Sequence, residues 1–326
     1  MQLNRRLLNW GAFLVLVGAV PLAVRGGLLT TDQVSSWWSL WPLLIVGIGI
    51  GLVLSRTALD FLGGLVVAAT FGLIVGAVVT VGFRGFPGSV CGSEVGTTPL
   101  EARSGTFSGP AAVDLQLNCG RVDVTGLPGS DWSFSGTGDG DNPPTVTADA
   151  DTLRVRAREN GARFAFVGRQ ERWAVGIPTG VPLSLDVQLN AGQARVAPGT
   201  AELAAVNVQV NAGAVHLDLG TASALESVDV QGNAGSATLI LPDASVSGRL
   251  QVNAGSIRFC VPAGTALRVQ TGDNPIASYE FDGHGLVRTG NTWQSPDFDS
   301  ASVRIDLRAE ANAGSITLNP EDGCDE

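Results

Sequence analysis

A short turn recurs along the chain and constrains its fold more than any other feature. Each copy consists of an asparagine, a small residue and a glycine. The six copies are Asn118-Cys119-Gly120, Asn190-Ala191-Gly192, Asn211-Ala212-Gly213, Asn233-Ala234-Gly235, Asn253-Ala254-Gly255 and Asn312-Ala313-Gly314. Four successive asparagines, from Asn190 to Asn253, are 21, 22 and 20 residues apart. A nearly constant period of about twenty residues indicates a solenoid, in which each repeat forms one coil.

The residues on both sides of each turn alternate between apolar and polar. Val206, Val208 and Val210 precede one copy, and Val215 and Leu217 follow it. Such alternation around a glycine-containing turn predicts a strand, a turn and a second strand. Coils stacked about 4.8 Å apart would bury the inward apolar residues together. We therefore expect an all-β single-stranded β-helix, or β-solenoid, over residues 110–326, with about eight or nine coils and a length of roughly 40 Å.

The recurrent asparagines are predicted to have a structural role. Asparagine and glycine both tolerate the positive φ that a sharp corner needs. Asparagines at the same corner of successive coils could also stack as a ladder, with each amide bonded to the next coil. The candidate ladder residues are Asn118, Asn190, Asn211, Asn233, Asn253 and Asn312. The long interval before the last of them predicts degenerate coils over residues 264–300.

Three uncharged apolar runs precede the repeats, at residues 7–24, 37–54 and 61–83. As helices they would measure about 27 to 34 Å, enough to cross a bilayer core of roughly 30 Å. The predicted fold class is therefore mixed, with a three-helix transmembrane region at residues 1–84 before the solenoid. A cleaved signal peptide is the alternative for the first run, because two arginines precede it. We expect a multi-pass protein of the cell membrane that contacts the lipid bilayer, with its C-terminal domain outside the cytoplasm.

Residues 85–109 are rich in Gly, Pro, Ser and Thr and are predicted to form a linker. The chain contains four cysteines, Cys91, Cys119, Cys260 and Cys324. Four cysteines allow three pairings, and four unpaired residues are the alternative. Spacing suggests the pairs Cys91–Cys119 and Cys260–Cys324, each of which would tie a terminal segment to the solenoid.

Composition argues against several classes of function. The net charge is −10, whereas a nucleic-acid partner would require clustered cations. All 20 basic residues are arginine, so lysine nucleophiles and a P-loop lysine are excluded. The two histidines, His216 and His284, cannot form an HExxH metal helix, and they are interpreted as a surface residue and a loop residue. We expect no cofactor, no metal and no enzymatic activity.

One loop, Gly136 to Asp141, loosely resembles the Gly/Asp loops that bind calcium in β-rolls. It occurs once and without a nine-residue repeat. Hard cations need several convergent oxygens, so a solvated acidic loop is the favoured interpretation and a calcium site the alternative.

Several motifs resemble bacterial LiaF-type and related membrane proteins, which carry a toast-rack or adhesin-type β-solenoid. The motifs are Trp41-Pro42-Leu43-Leu44-Ile45, Ile177-Pro178-Thr179-Gly180-Val181-Pro182-Leu183 and Gln188-Leu189-Asn190-Ala191-Gly192. The resemblance implies a role in cell-envelope stress sensing, in which LiaF-like members restrain a sensor histidine kinase, or else surface adhesion. It implies no catalytic residues.

The predicted function is that of a membrane-anchored, non-enzymatic envelope protein whose solenoid binds or senses an envelope component. The partner would be a membrane sensor kinase or an envelope glycan, and a homo-oligomer is possible because end coils expose strand edges. One alternative is an adhesin-like or structural surface module without a signalling role. The other is a glycan-active β-helix enzyme, which would need a carboxylate pair or a Ca²⁺–Arg site in a groove.

Overall fold

The computed structural model describes residues 5–25, 42–53, 61–81, 95–158, 169–321 and 323–324. The chain separates into two compact units, Met1–Ser89 and Val90–Glu326. The described part of the first unit is helical, and the second unit is built from strands.

The helical unit contains α1 (Arg5–Arg25), α2 (Pro42–Val53) and α3 (Phe61–Val81). Glycines let these helices approach one another closely. A Cβ added at Gly72 of α3 would lie 2.9 Å from the backbone oxygen of Phe13 in α1. A Cβ added at Gly47 of α2 would lie 2.9 Å from a methyl group of Val67 in α3. Helix α3 therefore packs against both of the other helices.

The prediction of membrane-spanning helices is wrong. Across residues 5–25, 42–53 and 61–81, no helix combines the length and the apolar character needed to cross a bilayer. Within the predicted span at 37–54, the described helix α2 covers 12 residues, Pro42–Val53, which rise about 18 Å against roughly 30 Å for a bilayer core. The mixed fold with three transmembrane helices and the multi-pass membrane localisation are therefore corrected. The placement of the C-terminal domain outside the cytoplasm rested on those spans and is withdrawn with them.

The second unit contains sixteen strands among its described residues, all in one sheet. In chain order they are β1 (Thr98–Pro99), β2 (Arg103–Thr106), β3 (Ala111–Leu127), β4 (Asp131–Gly138), β5 (Thr145–Ala148), β6 (Thr152–Arg156), β7 (Glu171–Pro178), β8 (Leu183–Ala197), β9 (Leu203–Asp218), β10 (Ser227–Ile240), β11 (Val246–Cys260), β12 (Ala266–Thr271), β13 (Ser278–Glu280), β14 (Val287–Thr289), β15 (Thr292–Gln294) and β16 (Arg304–Leu318). Strands β1 and β2 fall inside the predicted linker at 85–109 and pair with β4. That end of the predicted linker is therefore part of the sheet, and residues 85–94 lie outside the described residues.

Six long strands stack in parallel as the rungs of the coil, in the spatial order β3, β8, β9, β10, β11 and β16. Each rung passes through one Asn-x-Gly corner, and the corner glycines of neighbouring rungs are paired in register. In β9, Val206, Val208 and Val210 are at most 2% exposed, whereas Asn207 between them is exposed. The two-residue alternation thus directs the apolar residues inward. The stack has six full rungs instead of the eight or nine coils expected.

The segment between β3 and β8 covers one end of the stack. Strand β6 pairs in parallel with the first half of β3, and β7 pairs in parallel with its second half. Strands β5 and β4 then pair antiparallel with β6 and β7. Strand β8 returns to the opposite side of β3, so the first rung lies between this end structure and the second rung. Extra strands of this kind protect a stack edge that would otherwise pair with other chains.

The other end is built in the reverse chain order. Strand β16 is the last in the chain but lies between β11 and β12. Strands β12 and β13 pair in parallel with the two halves of β16, and β15 and β14 add antiparallel strands beyond β12. The segment predicted as degenerate coils, 264–300, therefore forms the covering end structure and lies outside the last rung.

Large aromatic side chains fill the core at both ends. Trp173 contacts Phe134 edge to face with ring centroids 5.9 Å apart. At the other end, Phe281 lies 6.0 Å from Phe259 and 5.8 Å from Trp293 in the same edge-to-face manner. All five rings are at most 6% exposed. Each aromatic ring buries a large apolar area, so these clusters attach the end structures to the stack.

Candidate functional site

The six predicted asparagines form one continuous column of hydrogen bonds along the corner of the stack. The Nδ2 of each asparagine from Asn190 onward donates to the Oδ1 of the asparagine in the preceding rung. The donor–acceptor distances are 2.8 Å for Asn190 to Asn118, 2.7 Å for Asn211 to Asn190, and 2.6 Å for Asn233 to Asn211, Asn253 to Asn233 and Asn312 to Asn253. We call this set the asparagine column. Its amides bond mainly to one another, so it stabilises the stack and leaves little capacity for a ligand.

Further hydrogen bonds flank the asparagine column at both ends. At one end Asn118 donates to the backbone oxygen of Arg158 at 3.5 Å. At the other end Asn274 donates to the backbone oxygens of Ala311 and Asn312, at 3.0 and 2.8 Å. The sequence analysis did not identify Asn274, because it lies in an irregular segment outside the repeat.

The corner glycines are required for two independent reasons. Gly192, Gly213, Gly235 and Gly255 have φ between 129° and 141°, a conformation that L side chains rarely adopt. A Cβ at Gly213 would also lie 2.0 Å from the backbone oxygen of Gly192 in the neighbouring rung. Among the described residues, the only non-glycine residues with positive φ are Ala224 and Asn319. The expectation that the asparagines share the positive φ is therefore wrong, since glycine alone supplies it at the corner.

The described cysteines, Cys119, Cys260 and Cys324, lie towards the two ends of the β unit. Cys260, at the end of β11, is disulfide-bonded to Cys324, with the two Cα atoms 6.2 Å apart. Cys119 is also disulfide-bonded, and its predicted partner Cys91 lies outside the described residues. The first bond ties the C-terminal segment to a rung.

The other residues considered as site candidates are dispersed. His216 is half-buried on the outward side of β9, in register with Arg195 and Thr238, and His284 lies in an exposed loop. The predicted loop Gly136–Asp141 begins inside β4, which ends at Gly138, and in the remainder the backbone N–H of Asp141 donates to Asp139 Oδ1 at 3.2 Å. The described residues contain no group of three or more His, Cys, Asp or Glu side chains that could hold a metal ion.

A second column of amides runs beside the asparagine column, two residues before each corner. It comprises Gln116, Gln188, Gln209, Gln231 and Gln251, which are paired in register from rung to rung. We call this set the glutamine column. All five residues are half-buried. Glu310 takes the equivalent position in the last rung and forms an ion pair with Arg308 at 3.3 Å.

The glutamine column differs from the asparagine column in its hydrogen bonding. None of its five side-chain amides has a hydrogen-bond partner among the described residues. Each amide therefore retains two N–H donors and one acceptor oxygen for another molecule. Five such groups in adjacent rungs make up a regular hydrogen-bonding surface.

A third column lies next to the glutamines and carries charge. It comprises Asp114, Asp186, Asn207, Asp229, Arg249 and Arg308. Arg156 binds Asp114 at 2.9 Å, and Asn207 donates to Asp186 at 3.0 Å. Burial raises the pKa of Asp186, the hydrogen bond from Asn207 lowers it, and the charge of Asp114 raises it. We call this column together with the glutamine column the amide face.

The sequence contains a signal for the glutamine column. Five of the six corners read Gln-x-Asn-x-Gly: 116–120, 188–192, 209–213, 231–235 and 251–255. Outward polar residues of a strand are ordinarily solvated, so a single glutamine at such a position predicts no site. Their recurrence at one position of the period is what distinguishes them from isolated outward residues.

Glu171 is a further residue that the sequence did not reveal. It begins β7 beside the first corner, pairs with Gly120 and is 8% exposed. Its Oε2 has no hydrogen-bond partner among the described residues. Burial raises the pKa of Glu171 to about 7, the indole of Trp173 lowers it, and the charge of Asp139 raises it. The indole Nε1 does not reach hydrogen-bond geometry with any described acceptor, so the effect of burial dominates.

Residues 108–241 match the family described as the N-terminal domain of toast_rack, DUF2154. The match includes the first four rungs, β3, β8, β9 and β10. The β unit thus contains a toast-rack-type domain, which confirms that part of the predicted resemblance. The narrower likeness to LiaF-type proteins stays a prediction.

Solved structures provide a second comparison. A "putative cell adhesion protein" from Clostridium sporogenes aligns with a TM-score of 0.45 and 14% identity, over 68% of this chain and 99% of that chain. A "putative adhesin" from Bacteroides fragilis aligns with a TM-score of 0.30 and 13% identity, over 70% of this chain and 100% of that chain. These TM-scores are too low to support a functional argument. No curated protein matches the chain significantly.

Proposed function

We propose, from the premise that residues 108–241 form a toast-rack-type domain, that this chain is a non-enzymatic, adhesin-like binding module. In this role the β unit holds a partner against the outer side of its rungs. Binding needs a surface whose polar groups are preorganised and not already committed to the protein itself.

The observation that supports the proposal is the amide face. Its glutamine column presents five unused side-chain amides at one position of successive rungs. The backbone beneath them is held by in-register parallel pairing and by the asparagine column. Little conformational freedom of the main chain therefore remains to be lost when a partner binds.

The nature of the partner is the finer part of the proposal. Uncharged amides favour a partner rich in hydroxyl or amide groups, such as an envelope glycan. A sensor histidine kinase is the second candidate, because motifs resembling LiaF-type proteins, at 177–183 and 188–192, lie within the toast-rack match. In that case a purified kinase should bind the full-length chain and change its rate of autophosphorylation.

Co-sedimentation with bacterial cell-envelope fragments tests the binding function. The column variant combines Gln188→Ala, Gln209→Ala and Gln231→Ala. The control variant combines Gln193→Ala, Thr238→Ala and Ser256→Ala, which remove three outward polar side chains beyond the corner. We expect the full-length wild type and the control variant to sediment with the fragments, and the column variant to stay in solution. If the wild type remains in solution, or if all three proteins sediment equally, the proposal is wrong.

A further inference from the structure

We propose that the glutamine column is a binding site for an extended glycan chain that runs along the stack, with about one sugar residue per rung. This inference rests on the proposed function and assigns its ligand class and its site. The ligand would lie perpendicular to the strands and cross the rungs β3, β8, β9, β10 and β11.

The first reason is the contrast between two amide columns on the same backbone repeat. The asparagine amides, one position before each corner's centre, bond to one another at 2.6–2.8 Å. The glutamine amides, two positions earlier on the same rungs, form no hydrogen bond among the described residues. Burying polar groups without partners is costly, so half-buried amides in a repeated array are suited to an external partner.

The second reason is chemical complementarity. A sugar hydroxyl both donates and accepts hydrogen bonds, and a glutamine amide does the same through its nitrogen and oxygen. A column of charged side chains would instead select ions of opposite charge. The five glutamines carry no charge, and the ends of the column are occupied by ion pairs. Arg156, which is in register with Gln116, binds Asp114 at one end, and Glu310, which is in register with Gln251, binds Arg308 at the other.

The third reason is spacing. Neighbouring strands of a sheet lie about 4.8 Å apart, so the five glutamines extend over roughly 19 Å. Sugar residues of an extended β-linked chain repeat on a similar length scale, which lets one amide meet each residue in turn. The register between rungs has no shift at the glutamines, so the spacing is constant along the site.

The fourth reason is preorganisation. The glutamines are half-buried, whereas Asp186, Asn207, Asp229 and Arg249 in the adjacent column are exposed. Part of each glutamine side chain is thus already removed from solvent before any ligand arrives. A side chain that is already ordered loses less entropy on binding.

Calorimetric titration of the full-length chain with cellohexaose and with chitohexaose tests this assignment. We expect at least one hexasaccharide to bind the wild type, and to bind about tenfold or more tightly than the corresponding disaccharide, because the longer chain meets more rungs. The column variant should lose about tenfold or more in affinity, while the control variant should bind as the wild type does. Melting temperatures of both variants establish that they are folded.

Three results would overturn the assignment. One is a folded column variant that binds the hexasaccharide with wild-type affinity. The second is a wild-type chain that binds neither hexasaccharide yet still sediments with envelope fragments, which would leave the binding function intact and remove only the glycan site. The third is self-association of the wild type that the column variant abolishes in analytical ultracentrifugation, which would make the amide face an interface between copies of this chain.

Discussion

The loss of stability on removing an asparagine of the asparagine column should depend on how many of the column's hydrogen bonds it forms. The loss should be large at Asn211, in the middle of the column. Its Nδ2 donates to Asn190 at 2.7 Å, and its Oδ1 accepts from Asn233 at 2.6 Å. Asn211→Ala removes both bonds and leaves one donor and one acceptor without partners in a half-buried position. At the end of the column, Asn312 is exposed and forms a single bond of this kind, to Asn253.

The magnitude follows from the number of bonds lost. A hydrogen bond contributes about 1 kcal/mol net, and an unsatisfied buried group adds to the loss. Asn211→Ala should therefore reduce the free energy of unfolding by about 2–3 kcal/mol, and Asn312→Ala by about 0.5–1 kcal/mol. For a unit of this size those losses correspond to falls in melting temperature of roughly 4–10 °C and 1–4 °C.

Thermal unfolding followed by far-UV circular dichroism measures both effects. Gln209→Ala is the matched control, because its side chain lies two residues before Asn211 on the same rung and forms no hydrogen bond among the described residues. Its effect should stay within about 0.5 kcal/mol. Equal losses at Asn211 and Asn312, or an unchanged melting temperature for Asn211→Ala, would refute the view that the column stabilises the stack.

Three further predictions concern the corner, the buried carboxylate and the disulfide. Gly213→Ala should reduce the free energy of unfolding by more than about 4 kcal/mol and prevent folding, because φ of Gly213 is 141° and the added Cβ would lie 2.0 Å from a backbone oxygen. Gly199→Ala is the control, with φ 62° and no atom within 4 Å of the added Cβ, and it should cost only about 1–2 kcal/mol. Similar melting temperatures for the two variants would contradict this prediction. The pKa of Glu171 is about 7 in the folded protein against 4.5 without burial, so the free energy of unfolding of the wild type should fall by on the order of 3 kcal/mol as pH rises from about 4.5 to 7. Glu171→Gln should lack this pH dependence and be more stable than the wild type at pH 8. An equal difference in stability between wild type and variant at pH 5 and pH 8, measured by chemical denaturation, would argue against this. Cys260→Ser should reduce the free energy of unfolding by about 4 kcal/mol, because the disulfide to Cys324 closes a loop between residues 64 positions apart and so restricts the unfolded chain. The difference between wild type and variant should disappear in reductant. A difference that persists in reductant would indicate a packing effect instead.

The sequence by itself determined the repeating unit of the β domain. Alternation on either side of Asn211-Ala212-Gly213 dictates which side chains face inward, because the period of a strand is two residues. Glycine at the corner follows from the close approach of neighbouring backbones, which recurs at every rung. The resemblance to toast-rack proteins was also visible in the sequence, at residues 177–183 and 188–192. The apolar runs at the N-terminus do form helices at 5–25, 42–53 and 61–81, but their interpretation as membrane spans was wrong.

Only the tertiary structure decided the order in which the repeats stack. The same alternation satisfies any sequence of parallel rungs, so nothing local shows that β16 lies between β11 and β12, or that β3 lies between β7 and β8. The environment of Glu171 is likewise created by residues distant in the chain. Whether an amide column is self-bonded or free depends on how side chains of adjacent rungs meet. The asparagine and glutamine columns recur with the same period, and only the packing of the rungs distinguishes a structural column from a candidate site.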